Sequence, residues 1–305
     1  MKILITGGAG YVGNELVYNL SINPEIKEII IYDNLSRKNY NVFLDKSFSN
    51  KKIKFVKGEL LDSRLLKKVL IGVDVVYHLA ALVTTPFANE DPHLFEQINH
   101  WGTAELTYAI EESESVKKLV YLSSTSVYGV PNEIINIKTI PNPKTFYGMS
   151  KLKGEGHVLR LSDRIETIVL RCANIYGHSP SMRFDAVINR FMFEANFIGR
   201  ISVTGNGKQH RAFINISNVS ELLGKLANTK LDSGIYNLSG KNISIIEISN
   251  TIKDIYPETE ILFLSQHLTF RELLVEKDHR LNHLITISDI TFKDELLELK
   301  SKFSF

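Results

Sequence analysis

Tyr147 and Lys151 stand four residues apart at the start of a helical pattern, which puts both on one helix face. A phenol, with a pKa of about 10, is a poor base at neutral pH. An ammonium beside it stabilises the phenolate and lowers that pKa, so the pair suits proton transfer to or from an alcohol. Ser124 lies just past an apolar stretch, in Ser123-Ser124-Thr125-Ser126, and offers a second hydrogen bond to the same alcohol. Alone, a Tyr-x-x-x-Lys pair is equally compatible with a solvated helix face. Two features upstream select the catalytic reading.

The first is Thr6-Gly7-Gly8-Ala9-Gly10-Tyr11-Val12-Gly13, where the apolar run Ile3-Leu4-Ile5 breaks into a glycine turn before a helical pattern. Glycines at 7, 10 and 13 allow a tight turn, close approach of backbone to a pyrophosphate, and close packing of helix on strand. The helix beyond offers unpaired N–H groups and a positive dipole end to phosphates. The second is Asp33, about twenty residues on, at the end of a β-branched run over 26–32 and followed by Asn34-Leu35-Ser36. A carboxylate there accepts the ribose hydroxyls of an adenosine and repels a 2′-phosphate, which favours NAD; nearby Arg37 is the one residue that would favour NADP. With such a carrier, Tyr147 takes or gives a hydroxyl proton while hydride moves to or from the nicotinamide.

The elements that position these residues alternate. Apolar runs at 2–5, 26–32, 53–56, 73–79, 119–122 and 165–170 read as strands. Helical patterns at 14–22, 62–70, 91–113 and after 146 lie between them, with Asp62 as a helix N-cap. Near-continuous apolar strands belong to a parallel sheet covered on both faces. The order predicts an α/β, doubly wound sheet with its ligand site at the carboxyl ends of the strands. The glycine turn, Asp33, Ala80-Ala81 and Ser124 all fall on that edge. Residues 38–52 and 174–183 read as loops. Beyond 183 a helix over 184–197, strands at 201–203, 212–216 and 235–238, and a mixed tail at 244–305 complete the pattern. His78 reads as a packed histidine and Cys172 as a buried, inert thiol.

The chain has 305 residues, is 44% apolar and 23% charged, and sets 36 basic against 34 acidic side chains, net +2. That balance gives no reason to expect nucleic acid or membrane as partner. One cysteine excludes an internal disulfide and points to a reducing, cytoplasmic setting. Residues 69–83, the longest apolar region, are broken by Gly72, Asp74 and His78, so no segment reads as spanning a bilayer, and no histidine spacing suggests a metal.

The motifs, in order, resemble the extended short-chain dehydrogenase/reductases, specifically the NAD-dependent epimerase/dehydratase group acting on nucleotide sugars. The likeness runs over roughly the first 220 residues: the glycine turn, Asp33-Asn34-Leu35-Ser36, Gly58-Glu59-Leu60, His78-Leu79-Ala80-Ala81, Asn99, Ser123-Ser124, Tyr147-x-x-x-Lys151 and Arg171-x-x-Asn174-x-Tyr176-Gly177. The Asp-Asn-Leu-Ser and Ser-Ser-x-x-Val-Tyr-Gly stretches are most similar to UDP-hexose 4-epimerases. The resemblance implies a Rossmann-type NAD domain at 1–173, returning at about 211–240, and a smaller C-terminal α/β nucleotide-sugar domain from 174–210 and 241–305. It implies Ser124, Tyr147 and Lys151 as catalytic, and Gly7, Gly10, Tyr11, Val12, Gly13, Asp33, Asn34, Ser36, Glu59, Leu60, Leu79, Ala80, Ala81, Asn99, Tyr147 and Lys151 as cofactor-binding. For the substrate, UDP-, GDP- or dTDP-linked, it implies Ser124, Asn174 and Arg211. Arg183 and Arg271 are either further diphosphate ligands or surface charges.

Thr125 and Ser126 stand where sugar 4,6-dehydratases of the group carry Asp and Glu, which argues against dehydration. Glu59 replaces the more usual aspartate, and Ala212 and Asn215 depart from the pattern around Arg211. Residues 179–185 resemble a segment of enzymes linked to surface-polysaccharide sugars. The expectations are a 4-epimerase working through a 4-keto sugar, a net 4-dehydrogenase or 4-keto-sugar reductase, or a non-catalytic NAD-binding protein. The resemblance also implies a homodimer through helices at about 91–113 and 146–162.

Overall fold

The computed structural model describes residues 1–44, 51–83, 91–131, 133–268, 270, 272–285 and 290–303. Its first half comprises β1 (Lys2–Thr6), α1 (Tyr11–Ser21), β2 (Glu28–Asp33), β3 (Ile53–Lys57), α2 (Ser63–Val69), β4 (Val75–His78), α3 (Pro92–Phe95), α4 (Gly102–Glu111), β5 (Lys118–Ser124), α5 (Phe146–Leu159) and β6 (Glu166–Cys172). The second half comprises β7 (Asn174–Tyr176), α6 (Val187–Phe197), β8 (Arg200–Thr204), β9 (His210–Asn215), α7 (Ile216–Leu226), β10 (Gly234–Leu238), β11 (Lys241–Ser244), α8 (Ile245–Ile255), β12 (Glu260–Leu264) and α9 (Phe292–Ser301).

Seven parallel strands form the main sheet in the order β10-β6-β5-β4-β1-β2-β3. The alternation of β-branched side chains explains why both faces are covered. Ile3 and Ile5 pack with Leu16, Leu20, Val219 and Leu223 beneath α1 and α7. Leu4, between them, packs with Leu66, Leu106, Ile110 and Val158 on the opposite face. The order reverses between β1 and β4, opening a crevice at their carboxyl ends. A separate core of Phe191, Met192, Ile248, Ile252, Leu296 and Leu299 holds α6, α8 and α9 together.

Four local features differ from the reading. The stretch 174–183, expected as loop, begins with β7, which pairs in parallel with β9 in a three-stranded sheet of order β11-β9-β7. Three residues carry too little periodicity to read as a strand; the partner makes it one. Residues 211–215, placed by the resemblance in the returning part of the large domain, belong to that smaller sheet, whereas β10 pairs with β6 at the edge of the large one. Inside the expected loop over 38–52, Tyr40–Phe43 forms a 3₁₀ turn. The expected helix over 91–113 is present, but Glu96–Trp101 widens into a π-helical segment between α3 and α4. Asp62 caps α2, accepting from the Leu65 N–H at 3.0 Å.

α5 is fixed to the sheet by charge. The Glu155 carboxylate accepts from Arg171 of β6 at 2.7 Å and from the Ser123 hydroxyl of β5 at 2.6 Å. Glu155 is 2% and Arg171 4% exposed. The Arg171 guanidinium lies 4.7 Å from the centre of the Tyr128 ring, and the Tyr128 hydroxyl donates to the Asn237 side chain of β10 at 2.7 Å. Replacing one partner strands the other's charge in the interior. Glu155→Ala is therefore expected to destabilise the fold by about 3–5 kcal/mol in urea titration, with Glu155→Gln milder. A loss under ~1 kcal/mol for the alanine variant would show that the pair is dispensable.

Candidate active site

A cavity of about 850 Å³ opens along the carboxyl edge of the main sheet and extends under β7 and the start of α6. One end is the glycine turn. Gly7 has φ +72°, and a Cβ there would lie 2.6 Å from the Ala80 nitrogen, so β1 and the residues after β4 approach as backbone against backbone. At Gly13 a Cβ would fall 2.3 Å from the Gly7 carbonyl oxygen, so α1 could not pack so near the turn. Gly10, the N-cap of α1, brings no capping side chain, leaving the first-turn N–H groups of the helix for a ligand. Its Cβ would meet only the Gly7 oxygen, at 3.1 Å. This is a cradle that side chains would fill, and it suits the pyrophosphate of NAD.

Asp33, ending β2, sits on the same wall. One carboxylate oxygen accepts from the Ala9 N–H at 3.1 Å and the other from the Leu35 N–H at 2.8 Å, which fixes the plane of the group while leaving lone pairs for ribose hydroxyls. Burial, the largest influence, pushes its pKa up despite those two bonds. Asn34 donates to Glu59 at 3.0 Å, and both line the cavity with Ser36, Leu60, Leu79, Ala80 and Ala81. Tyr11 and Val12 line it too, and the Tyr11 hydroxyl donates to the Gly177 carbonyl at 2.7 Å.

Ser124 and Tyr147 reach the wall from β5 and α5. Thr145 caps α5, accepting from the Gly148 N–H at 3.1 Å, which sets the first turn that carries Tyr147. Ser124 is paired in register with Cys172, and its hydroxyl contacts that of Ser126 at 3.1 Å. The Tyr147 phenol is raised above its ordinary pKa by burial; the Arg183 cation and a hydrogen bond with Ser124 pull it back down. Lys151 was expected to supply that pull. Instead it is 1% exposed and lies off the cavity wall, its ammonium 4.1 Å from the centre of the Tyr121 ring. Burial lowers the lysine to about 7, against support from Glu155. Cys172, also on the wall, has a thiol pushed far up by burial, which makes it inert as a nucleophile.

Asn99, for which the resemblance implies a cofactor contact, is placed deeper than the wall residues. It is 1% exposed and off the wall: its Oδ1 accepts from the Leu82 N–H at 2.7 Å, and its Nδ2 donates to the Leu82 carbonyl at 2.9 Å and the Ser150 hydroxyl at 3.2 Å. It ties the segment after β4 to α5, behind the site. His78 bridges the Thr6 and Thr103 hydroxyls at 2.7 and 2.9 Å, and burial drives it down to about 3, so it stays neutral.

At the far end Asn174 lines the cavity and donates to the Ala212 carbonyl at 3.0 Å. Arg183 lines it as well, half-buried and paired with Asp185 at 3.1 Å, rather than being a solvated surface charge. Arg211 lies off the wall, donating to the His210 carbonyl at 3.2 Å, with burial lowering its pKa. Its neighbour on β9, Phe213, is on the wall. Arg271 is outside the described residues. Leu94 and Ile98 line the cavity from α3 and the π-helical segment, as do Arg37, Asn39 and Asp185. Of these five, Arg37 had been singled out only for its bearing on cofactor choice, and Leu94, Ile98 and Asn39 carried no signal in the sequence. The signal for Asp185 was its place in the 179–185 segment; the helical period from Tyr147 through Lys151 would have found Glu155. Among the described residues no three His, Cys, Asp or Glu side chains gather as a metal set, and no helix is long and apolar enough to cross a membrane.

With this geometry the class is defined: the chain belongs to the NAD dependent epimerase/dehydratase family, whose profile matches residues 3–239. It is 30% identical over 278 residues to an uncharacterized UDP-glucose epimerase, YtcB, of Bacillus subtilis, covering 88% of this chain and 86% of that protein. A putative UDP-glucose 4-epimerase of Methanocaldococcus jannaschii is 32% identical over 259 residues, covering 82% and 81%. Among solved structures, UDP-glucuronic acid 4-epimerase from Bacillus cereus, in complex with UDP-glucuronic acid and NAD, superposes with a TM-score of 0.87 at 24% identity, over 99% of this chain and 98% of that one.

Two predictions come from the site. Gly13→Ala should weaken NAD binding at least ~10-fold, read as a lost thermal shift at a fixed NAD concentration; an unchanged shift would show that α1 tolerates displacement from the turn. For Lys151, the folded pKa lies below the unfolded one, so between pH 7 and 10.5 the unfolded chain holds more protons. Stability of the NAD-free protein should rise with pH across that window, this group contributing up to ~1.4 kcal/mol per unit. Lys151→Met should remove that share of the slope in urea titrations; an unaltered slope would count against the buried lysine.

Proposed function

We propose that the chain is an NAD-dependent nucleotide-sugar epimerase that inverts carbon-4 through a 4-keto sugar. The observation that carries this reading is the presence of Ser124 and Tyr147 on the wall of the same cavity as the glycine cradle and Asp33. In this reading Gly7, Gly10, Gly13 and the first turn of α1 hold the pyrophosphate of NAD, Asp33 its ribose, and Leu79, Ala80 and Ala81 the face nearest the switch between β1 and β4. When bound, NAD supplies the hydride acceptor, the donor for the return step, and a positive ring.

Tyr147 accepts the proton of the 4-hydroxyl, and Ser124 orients that hydroxyl through the hydrogen bond it shares with Tyr147. Lys151 lies one turn behind on the buried face of α5, and the cation that pulls the phenol down is Arg183. The resting phenol, raised by burial, is protonated at neutral pH. It becomes a base only when substrate and cofactor complete the charge around it. Asn174, Arg183, Arg211 and Arg271 are proposed for the nucleotide-sugar end. UDP, which appears in the names of the relatives described above, is the nucleotide to test first.

Two features narrow the chemistry. Thr125 is buried and the Ser126 hydroxyl is engaged by Ser124, so neither residue supplies the acid or base of water loss. The second reading, a net 4-dehydrogenase or 4-keto-sugar reductase, uses the same residues but leaves the nicotinamide changed after each turnover. Leu94, Trp101, Tyr108 and Phe146 are exposed on the helices from which the family resemblance implies a homodimer, which supports that assembly. The single buried cysteine supports a cytoplasmic setting, and residues 179–185 support a place in polysaccharide sugar metabolism.

Incubation with UDP-hexoses, UDP-uronic acids and their GDP and dTDP counterparts should interconvert one pair of C4 epimers with no net change in nicotinamide absorbance. Stoichiometric reduction of NAD would favour the dehydrogenase instead. Tyr147→Phe should lower kcat about 10²–10⁴-fold while retaining NAD. Full activity in that variant would remove Tyr147 from the mechanism.

A further inference from the structure

Residues 177–185 contact the cofactor-binding half of the molecule at two kinds of point. On one side the contacts are buried and firm. The Tyr11 hydroxyl donates to the Gly177 carbonyl at 2.7 Å, the Ser179 hydroxyl to the Tyr11 carbonyl at 2.9 Å, and Asn14 to the Ser181 hydroxyl at 3.3 Å. On the other side they lie nearer the surface and reach the loop after β2. The Arg37 guanidinium lies 3.7 Å from the Asp185 carboxylate, and the Asn41 side chain donates to the Pro180 carbonyl at 2.5 Å. Arg37 and Asp185 both line the cavity, so this second set of contacts spans it from the Asp33 side to the Tyr147 side.

The loop that makes the second set of contacts is itself strained. Leu35 and Lys38, on either side of Ser36-Arg37, have φ of +59° and +56°, the left-handed region that residues with a Cβ avoid. No glycine eases either position. Between and beside these positions the loop is held at its tip by Arg37 against Asp185 and by Asn41 against Pro180.

We propose that Arg37–Asp185 and Asn41–Pro180 form a latch across the cofactor half of the cavity, so that a bound dinucleotide leaves only when the 35–41 loop opens. Segment 177–185, pinned on α1, is the fixed jaw, and the loop is the moving one. This rests on the reading of the cavity as an NAD site, and it adds a kinetic role to residues that touch neither the reacting carbon nor the nicotinamide. An enzyme that returns its hydride to the same sugar has use for a carrier that stays in place; one that exchanges carrier every turnover does not. The latch therefore also bears on which of the two proposed reactions the chain performs.

The test follows release and uptake of the fluorescent analogue etheno-NAD from the full chain, with excess NAD as chase, in Arg37→Ala, Arg37→Lys and Asn41→Ala variants. A latch slows entry and exit together. Arg37→Ala should therefore raise both the release and the association rate by roughly three- to tenfold with little change in Kd, the range expected when an exposed ion pair is lost. Arg37→Lys should sit nearer the parent, Asn41→Ala should follow Arg37→Ala, and raising salt should bring the parent's rates towards those of Arg37→Ala. Release rates unchanged in both alanine variants would overturn the latch. So would faster release at an unchanged association rate, which marks a plain binding contact. Absence of saturable binding to the parent protein would overturn the NAD reading and the latch with it, whereas parent binding with unaltered variant rates would sink the latch alone.

Discussion

The ion pair between Glu155 and Arg171 is the constraint on which the site depends. Tyr147, Lys151 and Glu155 follow one another at successive turns of α5, so whatever fixes Glu155 fixes the phenol two turns away. Burying a carboxylate and a guanidinium is expensive unless their remaining hydrogen-bonding capacity is met. Here it is met from the surrounding elements, by Ser123 on β5 and by the face of Tyr128, itself bonded to β10. The result is a helix whose rotation and height above the sheet are both set. Lys151 lies one turn from that pair, and the lone negative charge of Glu155 is what supports its ammonium in an otherwise desolvating interior.

The glycine turn depends on a different constraint, the close approach of chains at the reversal of strand order. Gly7 meets the Ala80 backbone, and Gly13 meets the turn itself, at distances no side chain permits. The crevice is thus built from main chain, and its walls present N–H groups and small side chains where a phosphate and a flat ring need room. Asp33 belongs to the same arrangement, since one of its two backbone donors, Ala9, comes from the turn.

What could be read from the sequence is what depends on neighbours in the chain. The strands showed because β-branched runs alternate with helical spacing, and the cradle showed because glycines at 7, 10 and 13 sit between a strand and a helix. Ser124 and Tyr147 could be placed on one edge because each follows or begins an element whose end could be located. What could not be read depends on partners far away in sequence. β7 is a strand only because β9 lies beside it. The bonds of Asn99 to Leu82 and Ser150 join segments seventeen and fifty-one residues apart. Lys151 shares a helix face with Tyr147, but its burial against Tyr121 could not be read, nor could the pull on Tyr147 from Arg183, thirty-six residues along the chain. Arg211 shows the same limit from the other direction: its strand reaches the cavity, but through Phe213.

The position of β10 bears on how the molecule comes into being. Although it completes the large sheet beside β6, it is made only after β7, α6, β8, β9 and α7. While a chain is being synthesised, β6 waits as a sheet edge with open backbone groups, and Tyr128 waits for Asn237. The last strand of the large sheet follows those elements in the chain, so a chain interrupted before β10 leaves the strand that carries Arg171 as an open sheet edge.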